Sequence, residues 1–191
     1  DDAVTVDDLV GGTDRLLAIH GDGGSDTLDA SAVTNPEVTV LLFGDSGAET
    51  YGGADKTFLT LTGAASILPA AGGADTLLAG TGEAILFGGA DADTLTGSIA
   101  DDILIGDSGE VSFASGIVTR FASVDTAGGD DDIDALGGSN FVIGGAGADG
   151  IAAGSGADVV LGDNGEVTYT AAGIITRVRS LDTATGGSDR I

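Results

Sequence analysis

The segment Thr126–Leu161 reads TAGGDDDID-ALGGSNFVI-GGAGADGIA-AGSGADVVL, where hyphens separate blocks of nine residues. Its third block, Gly144–Ala152, has the form G-G-x-G-x-D-x-U-x, in which U is a large aliphatic residue. The eighth position of each block is apolar and is occupied by Ile133, Val142, Ile151 and Val160. The sixth position carries a side-chain oxygen and is occupied by Asp131, Asn140, Asp149 and Asp158. This periodicity indicates stacked copies of one short structural unit.

We expect each block to contain a glycine-rich bend and a short strand, so that two blocks complete one turn of a parallel β-structure. Because side chains alternate along a strand, position eight points inward while positions seven and nine point outward. Neighbouring turns would lie ~4.8 Å apart, which places each sixth position beside the sixth position eighteen residues later. The predicted pairs are Asp75 with Asp93, Asp131 with Asp149, and Asn140 with Asp158. Two carboxylates this close repel each other unless a cation lies between them, so these residues are the candidate metal ligands.

A second run of six blocks extends from Gly52 to Ile105. Its eighth positions are Leu59, Leu68, Leu77, Leu86, Leu95 and Leu104, which we interpret as one ladder of core residues. Its sixth positions are Thr57, Ser66, Asp75, Ala84, Asp93 and Asp102, a set with fewer candidate ligands. Asp102 has Ala84 eighteen residues before it, so we expect it to lack a carboxylate partner. The first run therefore predicts the same backbone with fewer metal sites.

The composition limits the classes of function. The chain has 191 residues, a net charge of -25 and no cysteine. The acid excess argues against nucleic-acid binding and against anionic membrane surfaces. It contains no apolar run long enough to insert into a membrane. Without thiolates, a bound metal ion would be one that prefers oxygen ligands, with calcium first.

Gly44, Gly106 and Gly162 begin similar segments and mark a larger repeat of 62 and then 56 residues. Alternating residues around a glycine turn in Ser115–Gly129 and Ala171–Gly187 predict two β-hairpin arms that leave the stack. The predicted fold is therefore all-β, a right-handed parallel β-roll or β-helix solenoid with two protruding hairpin arms. The predicted parts of this one solenoid are 1–43 (degenerate N-terminal coils), 44–114 (first run), 115–125 (arm), 126–170 (second run), 171–183 (arm) and 184–191 (start of the next repeat).

The nonapeptides of Thr126–Leu161 resemble the hemolysin-type (RTX) calcium-binding repeats, which form parallel β-rolls. More loosely, the chain resembles bacterial adhesins, S-layer proteins and other large surface proteins with such arrays. In the family the sixth-position aspartate binds calcium, which the resemblance carries over to Asp75, Asp93, Asp131, Asp149 and Asp158. Asn140 is a weaker candidate, and Asp26, Asp102 and Asp189 are further ones. The resemblance also implies export to calcium-rich surroundings, at the bacterial cell surface or outside the cell.

No catalytic constellation is present, so we expect no enzymatic activity. The GDSG motifs at Gly44 and Gly106 resemble a serine-protease nucleophile segment, but His20 is the sole histidine and the third copy is GDNG. We therefore interpret them as turns. The first hypothesis is a calcium-stiffened structural segment of a secreted bacterial surface protein, filament or adhesin. Its partners would be adjacent repeats or copies of itself arranged head-to-tail.

Two alternatives stay open. One is a non-catalytic export and folding module of a larger secreted enzyme or toxin. The other is a carbohydrate- or ice-binding solenoid, suggested by Thr60 with Thr62 and Thr94 with Thr96. Val6–Leu16 also aligns without gaps on Leu181–Ile191, which predicts that the chain begins and stops at the same phase of a longer repeat.

Overall fold

The computed structural model describes residues 1–6, 15–54, 56–67, 72–124, 128–181 and 186–191. These residues form β-strands, with one short 3₁₀ helix at Phe58–Thr60 and no α-helix among them. In chain order the strands are β1 (Ala3–Thr5), β2 (Arg15–His20), β3 (Thr27–Asp29), β4 (Val38–Phe43), β5 (Gly47–Tyr51), β6 (Leu61–Ser66), β7 (Thr76–Leu78), β8 (Ala84–Gly89), β9 (Thr94–Thr96), β10 (Ile103–Asp107), β11 (Gly109–Ala114), β12 (Ile117–Ser123), β13 (Asp132–Asp134), β14 (Phe141–Gly145), β15 (Gly150–Ala152), β16 (Val159–Asp163), β17 (Gly165–Tyr169) and β18 (Ile175–Ser180). The expectation of an all-β fold with parallel sheets is confirmed.

The strands form three sheets. Sheet A has the order β1-β3-β7-β9-β13-β15, sheet B has the order β2-β4-β8-β10-β14-β16, and both are parallel throughout. Sheet C has the order β5-β6-β11-β12-β17-β18 and is antiparallel. Along the chain the described strands visit sheets A, B, A and B, followed by two strands of sheet C, and this order occurs three times. The larger repeat marked by the three glycines therefore corresponds to a repeated strand order.

Sheet B is the middle layer, and its sequence explains why. Its strands are apolar at consecutive positions, as in Ile103–Ile105, and these three residues are at most 8% exposed. Leu104 packs in a cluster with the inward residues of sheet A, such as Leu95, whereas Ile103 and Ile105 pack in a second cluster with sheet C. The sheet A strands from β3 to β15 instead have one buried central residue each, as in Thr94-Leu95-Thr96. Parallel strands buried on both faces read as continuous apolar runs, which distinguishes the two sheets in the sequence.

The expected ladder of six leucines is wrong as a single ladder. Leu77 and Leu95 stack in sheet A, while Leu86 and Leu104 stack in sheet B. Leu59 lies in the 3₁₀ helix and is 58% exposed. Leu68 lies outside the described residues. The two blocks after Gly52 resemble nonapeptides in spacing, but their strands belong to the antiparallel sheet.

The expected hairpin arms are not confirmed as two protrusions. The described residues form three antiparallel pairs, because β5 and β6 form one that the sequence did not reveal. The other two begin at Gly109 and Gly165, earlier than the predicted arms. All three pairs join in sheet C, where Val111, Phe121 and Val167 pack against sheet B. Burial of this apolar face explains why the pairs lie along the stack instead of leaving it.

The N-terminal and C-terminal parts extend the parallel sheets. The first 43 residues, expected to be degenerate, contribute β1 to β4 in the regular order. At the other end, Arg190 forms a parallel bridge with Gly150 and so extends sheet A. Arg15, which the gapless alignment matches to Arg190, belongs to sheet B. The aligned segments thus occupy different sheets, and Asp7–Asp14 and Asp182–Thr185 of that alignment lie outside the described residues. Among the described residues, no helix is long and apolar enough to cross a membrane.

Candidate cation-binding column

Aspartates stand directly before β3, β7, β9, β13 and β15 of sheet A and, with Asp189, form one line along its edge. This acidic column consists of Asp26, Asp75, Asp93, Asp131, Asp149 and Asp189. The backbone N–H of each member donates to Oδ1 of the next, at distances of 2.7, 2.8, 2.8, 3.0 and 3.1 Å in that order. The structure therefore brings Asp75 beside Asp93 and Asp131 beside Asp149, as the eighteen-residue spacing predicts.

Three of the five neighbour relationships in the column do not follow from the eighteen-residue period. Asp26 stacks on Asp75, Asp93 on Asp131, and Asp149 on Asp189, with separations of 49, 38 and 40 residues. Each of these intervals contains one antiparallel strand pair of sheet C. A fixed period cannot detect neighbours when an insertion of variable length lies between them. The signal that identifies them is the repeated D-x-U in which the aspartate directly precedes a sheet A strand and U is the central residue of that strand.

The second carboxylate oxygen of the column has no hydrogen-bond partner. This holds within the described structure for the Oδ2 atoms of Asp26, Asp75, Asp93, Asp131 and Asp149. These five residues are only 1–3% exposed. A buried oxygen without a donor loses its hydration without compensation, and an ionised one loses more. The column thus contains five oxygen atoms that need either a proton or a cation.

Glycines at the C-terminal ends of the sheet B strands line the opposite side of the column. A Cβ atom at Gly88 would lie 2.5 Å from Oδ2 of Asp93, and a Cβ at Gly106 would lie 2.5 Å from the carbonyl oxygen of Gly144. Real Cβ atoms essentially never approach that closely. Glycine is required at these positions because carboxylate and carbonyl oxygens crowd the space that a side chain would fill. Those oxygens belong to the classes that calcium prefers.

A second set of carboxylates lies at the C-terminal ends of sheet B strands, where the chain leads to sheet C. Asp45, Asp107 and Asp163 occupy the second position of GDSG, GDSG and GDNG. Asp45 is buried, and its Oδ2 accepts a 2.8 Å hydrogen bond from the backbone N–H of Ala90. Oδ1 of Asp45 and Oδ1 of Asp163 have no hydrogen-bond partner among the described residues. From the sequence these motifs are predicted only as turns; the aspartate that replaces the second glycine of the repeat is the signal for the buried carboxylates.

The pKa values of four column carboxyls, those of Asp75, Asp93, Asp131 and Asp149, are raised. Burial is the largest cause, and it raises the pKa of Asp93 to about 9 and that of Asp131 to about 8. Burial likewise raises the pKa of Asp75 to about 7 and that of Asp149 to about 6. The charges of neighbouring column members, and of the turn residue Asp45 for Asp75 and Asp93, act in the same direction. Only the backbone hydrogen bonds oppose the shift. The ionised column therefore lacks the positive charge that would stabilise it.

The predicted ligands before sheet B form a second line with different chemistry. Asp102 N–H donates to Oδ1 of Asn140 at 3.0 Å, and Asn140 N–H donates to Oδ1 of Asp158 at 2.8 Å. The Asn140 amide donates to the Gly137 carbonyl at 2.9 Å. Because the Asn140 side chain is hydrogen-bonded to the backbone, its geometry gives no support to a role as a metal ligand. Asn140 and Asp158 are neighbours as expected, but their environment differs from that of the acidic column.

Asp102 has no carboxylate partner at position 84, as expected, but both of its oxygens are hydrogen-bonded. Its Oδ1 accepts a 2.7 Å hydrogen bond from the backbone N–H of Ala84 and a 2.9 Å bond from Oγ of Ser98. Its Oδ2 accepts a 2.6 Å bond from the Ser98 N–H. Ala84 has no side-chain oxygen, but its backbone N–H still donates to the carboxylate of Asp102. Asp102 is thus a structural residue rather than an open ligand.

The described residues contain no group of three or more Asp, Glu or His side chains that could hold a metal ion. A cation in the acidic column would therefore need one or two carboxylates together with backbone carbonyl oxygens. Calcium accepts such mixed ligand sets, because it takes ~6–8 oxygen ligands of several kinds.

Thr60 and Thr62 lie in the 3₁₀ helix and β6, whereas Thr94 and Thr96 lie in β9. They do not form the common threonine array that an ice-binding surface would need.

Comparison with known proteins gave no relative: no family model matches the chain, and no curated protein or solved structure matches it significantly.

Proposed function

We propose that this chain is a calcium-binding structural segment of a secreted bacterial surface protein, extracellular filament or adhesin. In this proposal, sheets A and B are the two walls of a right-handed parallel β-roll, and the antiparallel pairs are arms folded back onto it. The acidic column binds calcium along the edge of the roll. The observation that carries the proposal is the set of five buried Oδ2 atoms without hydrogen-bond partners.

The residues of the column supply what calcium coordination requires. Asp75, Asp93, Asp131 and Asp149 offer their free Oδ2 atoms, and the carbonyl of Gly144 is one of the backbone oxygens crowded against the same edge. The ion would supply positive charge to carboxylates that are otherwise repelled by one another. Because the unfolded chain cannot assemble this arrangement, calcium binding would add to the free energy of unfolding. Calcium would therefore stiffen the segment.

The three-sheet arrangement suits a protein built from many such units. Each turn packs only on its neighbours, so further repeats can be added without changing those already present. The edge strands β2 and β16 of sheet B are partly exposed and would accept adjoining strands. Suitable partners are adjacent repeats of the same chain or copies of it. We propose that the chain lies outside the cell, in the calcium-rich surroundings that its resemblance to RTX repeats implies.

A calcium titration of the whole chain tests the proposal. Thermal unfolding is followed by circular dichroism in chelator, in calcium and in magnesium at equal ionic strength. We expect calcium to raise the melting temperature and to do so more than magnesium, since the smaller ion demands near-ideal octahedral geometry. Identical melting curves in chelator and in calcium would overturn the proposal.

A further inference from the structure

A groove lies at the edge of sheet B opposite the acidic column. It is bounded by the first residues of β8, β10 and β14 and by the hairpin loops of sheet C near Ile117 and Gly173. Its volume is about 300 Å³, at the lower end of the size of small-molecule pockets. The groove is open to solvent, and Ile117 on its rim is 39% exposed.

The floor of the groove is apolar and partly aromatic. Ile85, Ile103, Phe58, Phe141 and Tyr169 line it. The rings of Phe141 and Tyr169 meet edge to face, with their centroids 5.7 Å apart. Aromatic rings attract a cation placed over their faces, and an apolar floor removes a ligand's hydrocarbon surface from water. The floor therefore suits a ligand with an apolar body.

The rim of the groove is acidic. Glu83 and Asp101 are exposed beside the apolar floor, and Asp102 lies beneath them. Glu37 and Glu83 also line an adjoining hollow that shares Phe58. The described residues that line the groove and the hollow include no lysine, arginine or histidine. An anionic ligand would be repelled here, whereas a positive charge would be attracted.

We propose that this groove binds a small organic cation, an ammonium group carried on an apolar body. The apolar body would lie on Ile103 and Phe141, and the ammonium group would face Glu83 and Asp101. A bare metal ion does not fit the floor, since calcium requires several oxygen ligands and the floor offers carbon atoms. A neutral ligand would leave the acidic rim unused. The site shares no residue with the acidic column and does not depend on the proposed calcium binding.

Benzylamine, protonated at neutral pH, and benzyl alcohol, of nearly the same size and shape, test the proposal. Both are titrated into the full chain in saturating calcium, and binding is followed by chemical-shift changes in two-dimensional NMR. We expect saturable binding of benzylamine with shifts at Ile103, Phe141 and Tyr169, and at least tenfold weaker binding of benzyl alcohol. Equal binding of the two probes, no saturable binding, or shifts elsewhere would overturn the proposal.

A charge-matched pair of variants provides the second measurement. Glu83→Gln combined with Asp101→Asn should weaken benzylamine binding about tenfold, at roughly threefold for each exposed carboxylate, and leave benzyl alcohol unchanged. Asp132→Asn combined with Asp134→Asn removes the same charge from the exposed face of sheet A and should leave benzylamine binding unchanged. Equal weakening by both pairs would show that only the net charge matters and would also reject a specific site.

Discussion

The backbone N–H of Asp93 donates a 2.8 Å hydrogen bond to Oδ1 of Asp131, although the two residues are 38 positions apart. The strand pair of β11 and β12 lies between them in the chain. The acidic column thus continues across each inserted strand pair of sheet C, so carboxylates from different repeats become neighbours. Their charges act on one another along the whole column, so its members cannot be treated as independent pairs.

Asp93→Asn should be more stable than the parent protein without calcium and should gain less stability from calcium. The amide Oδ1 can keep the stacking hydrogen bond, as Asn140 does for the Asp102 N–H. In chelator at pH 8 the folded parent must hold a proton on Asp93, whose pKa is raised to about 9, although the unfolded chain has released it. Asp93→Asn avoids this cost and should stabilise the fold by about 1–3 kcal/mol. In calcium the variant loses a ligand, so its gain from calcium should be smaller than that of the parent. Denaturant unfolding under both conditions measures this.

The matched control for that variant is Asp102→Asn. Asp102 is equally buried but has both oxygens hydrogen-bonded. We expect this variant to lose stability by the same amount with and without calcium. If both variants change the calcium-dependent gain equally, the assignment of the ion to the acidic column is wrong.

Without calcium, the stability should fall as the pH rises from about 4 to about 9. The pKa of Asp93 in the folded protein is raised to about 9 and that of Asp131 to about 8, from an ordinary value of 3.8. Between these values the folded state retains protons that the unfolded state has released, so raising the pH favours unfolding. Calcium should flatten this dependence because it stabilises the ionised carboxylates. Melting temperatures across this pH range, with and without chelator, test it; a rise in stability with pH in chelator would contradict it.

Gly88→Ala should destabilise the protein by about 1–3 kcal/mol, the usual cost of overpacking. The added Cβ would lie 2.5 Å from Oδ2 of Asp93, and it would also collide with the carbonyl oxygen of Gly106. Gly53→Ala is the control, since its Cβ would meet nothing closer than 3.6 Å. Chemical denaturation of the two variants measures the difference. Equal stability of both would mean that the strand ends can separate without cost.

Glu166→Gln should lower the free energy of unfolding by about 1 kcal/mol, as expected for ion pairs with partly exposed arginines. The carboxylate accepts hydrogen bonds from Arg177 at 2.7 Å, from Arg120 at 2.9 Å and from Arg179 at 3.2 Å. Hydrogen bonds from Arg177 and Arg120 lower the pKa of Glu166 to about 2. The stabilisation of the folded state by Glu166 is therefore complete above about pH 4.5 and is lost as the pH falls towards 2. This pH dependence is opposite in sign to that of the column carboxyls. Unfolding at pH 7 and pH 3 tests this; a larger effect at pH 3 would contradict it.

Much of the parallel part of the fold was predictable from local patterns. The eighteen-residue pairs Asp75 with Asp93 and Asp131 with Asp149 stack as expected, and so do Ile133 and Ile151. Between members of such a pair the chain completes one uninterrupted circuit of two strands. Their relative positions then follow from strand alternation and bend length alone.

The antiparallel part was not predictable in the same way. The leucines at 59 and 68 continue the period of nine, yet Leu59 is exposed and its neighbouring strands belong to sheet C. Spacing alone cannot separate a parallel strand from a hairpin strand of similar length. The choice depends on which apolar faces are left to bury, and Phe121 and Val167 cover the outer face of sheet B.

The sequence by itself determined the all-β class, the inward residue of the blocks that form parallel strands and the oxygen-bearing position before the sheet A strands, because these properties depend on side-chain alternation and bends within a few residues. Tertiary structure alone decided that Asp93 meets Asp131, that the antiparallel pairs form one covering layer, and that one line of carboxylates keeps open oxygens while the line through Asp102 does not. These outcomes depend on contacts across insertions and on donors from distant backbone segments, and no local period encodes them.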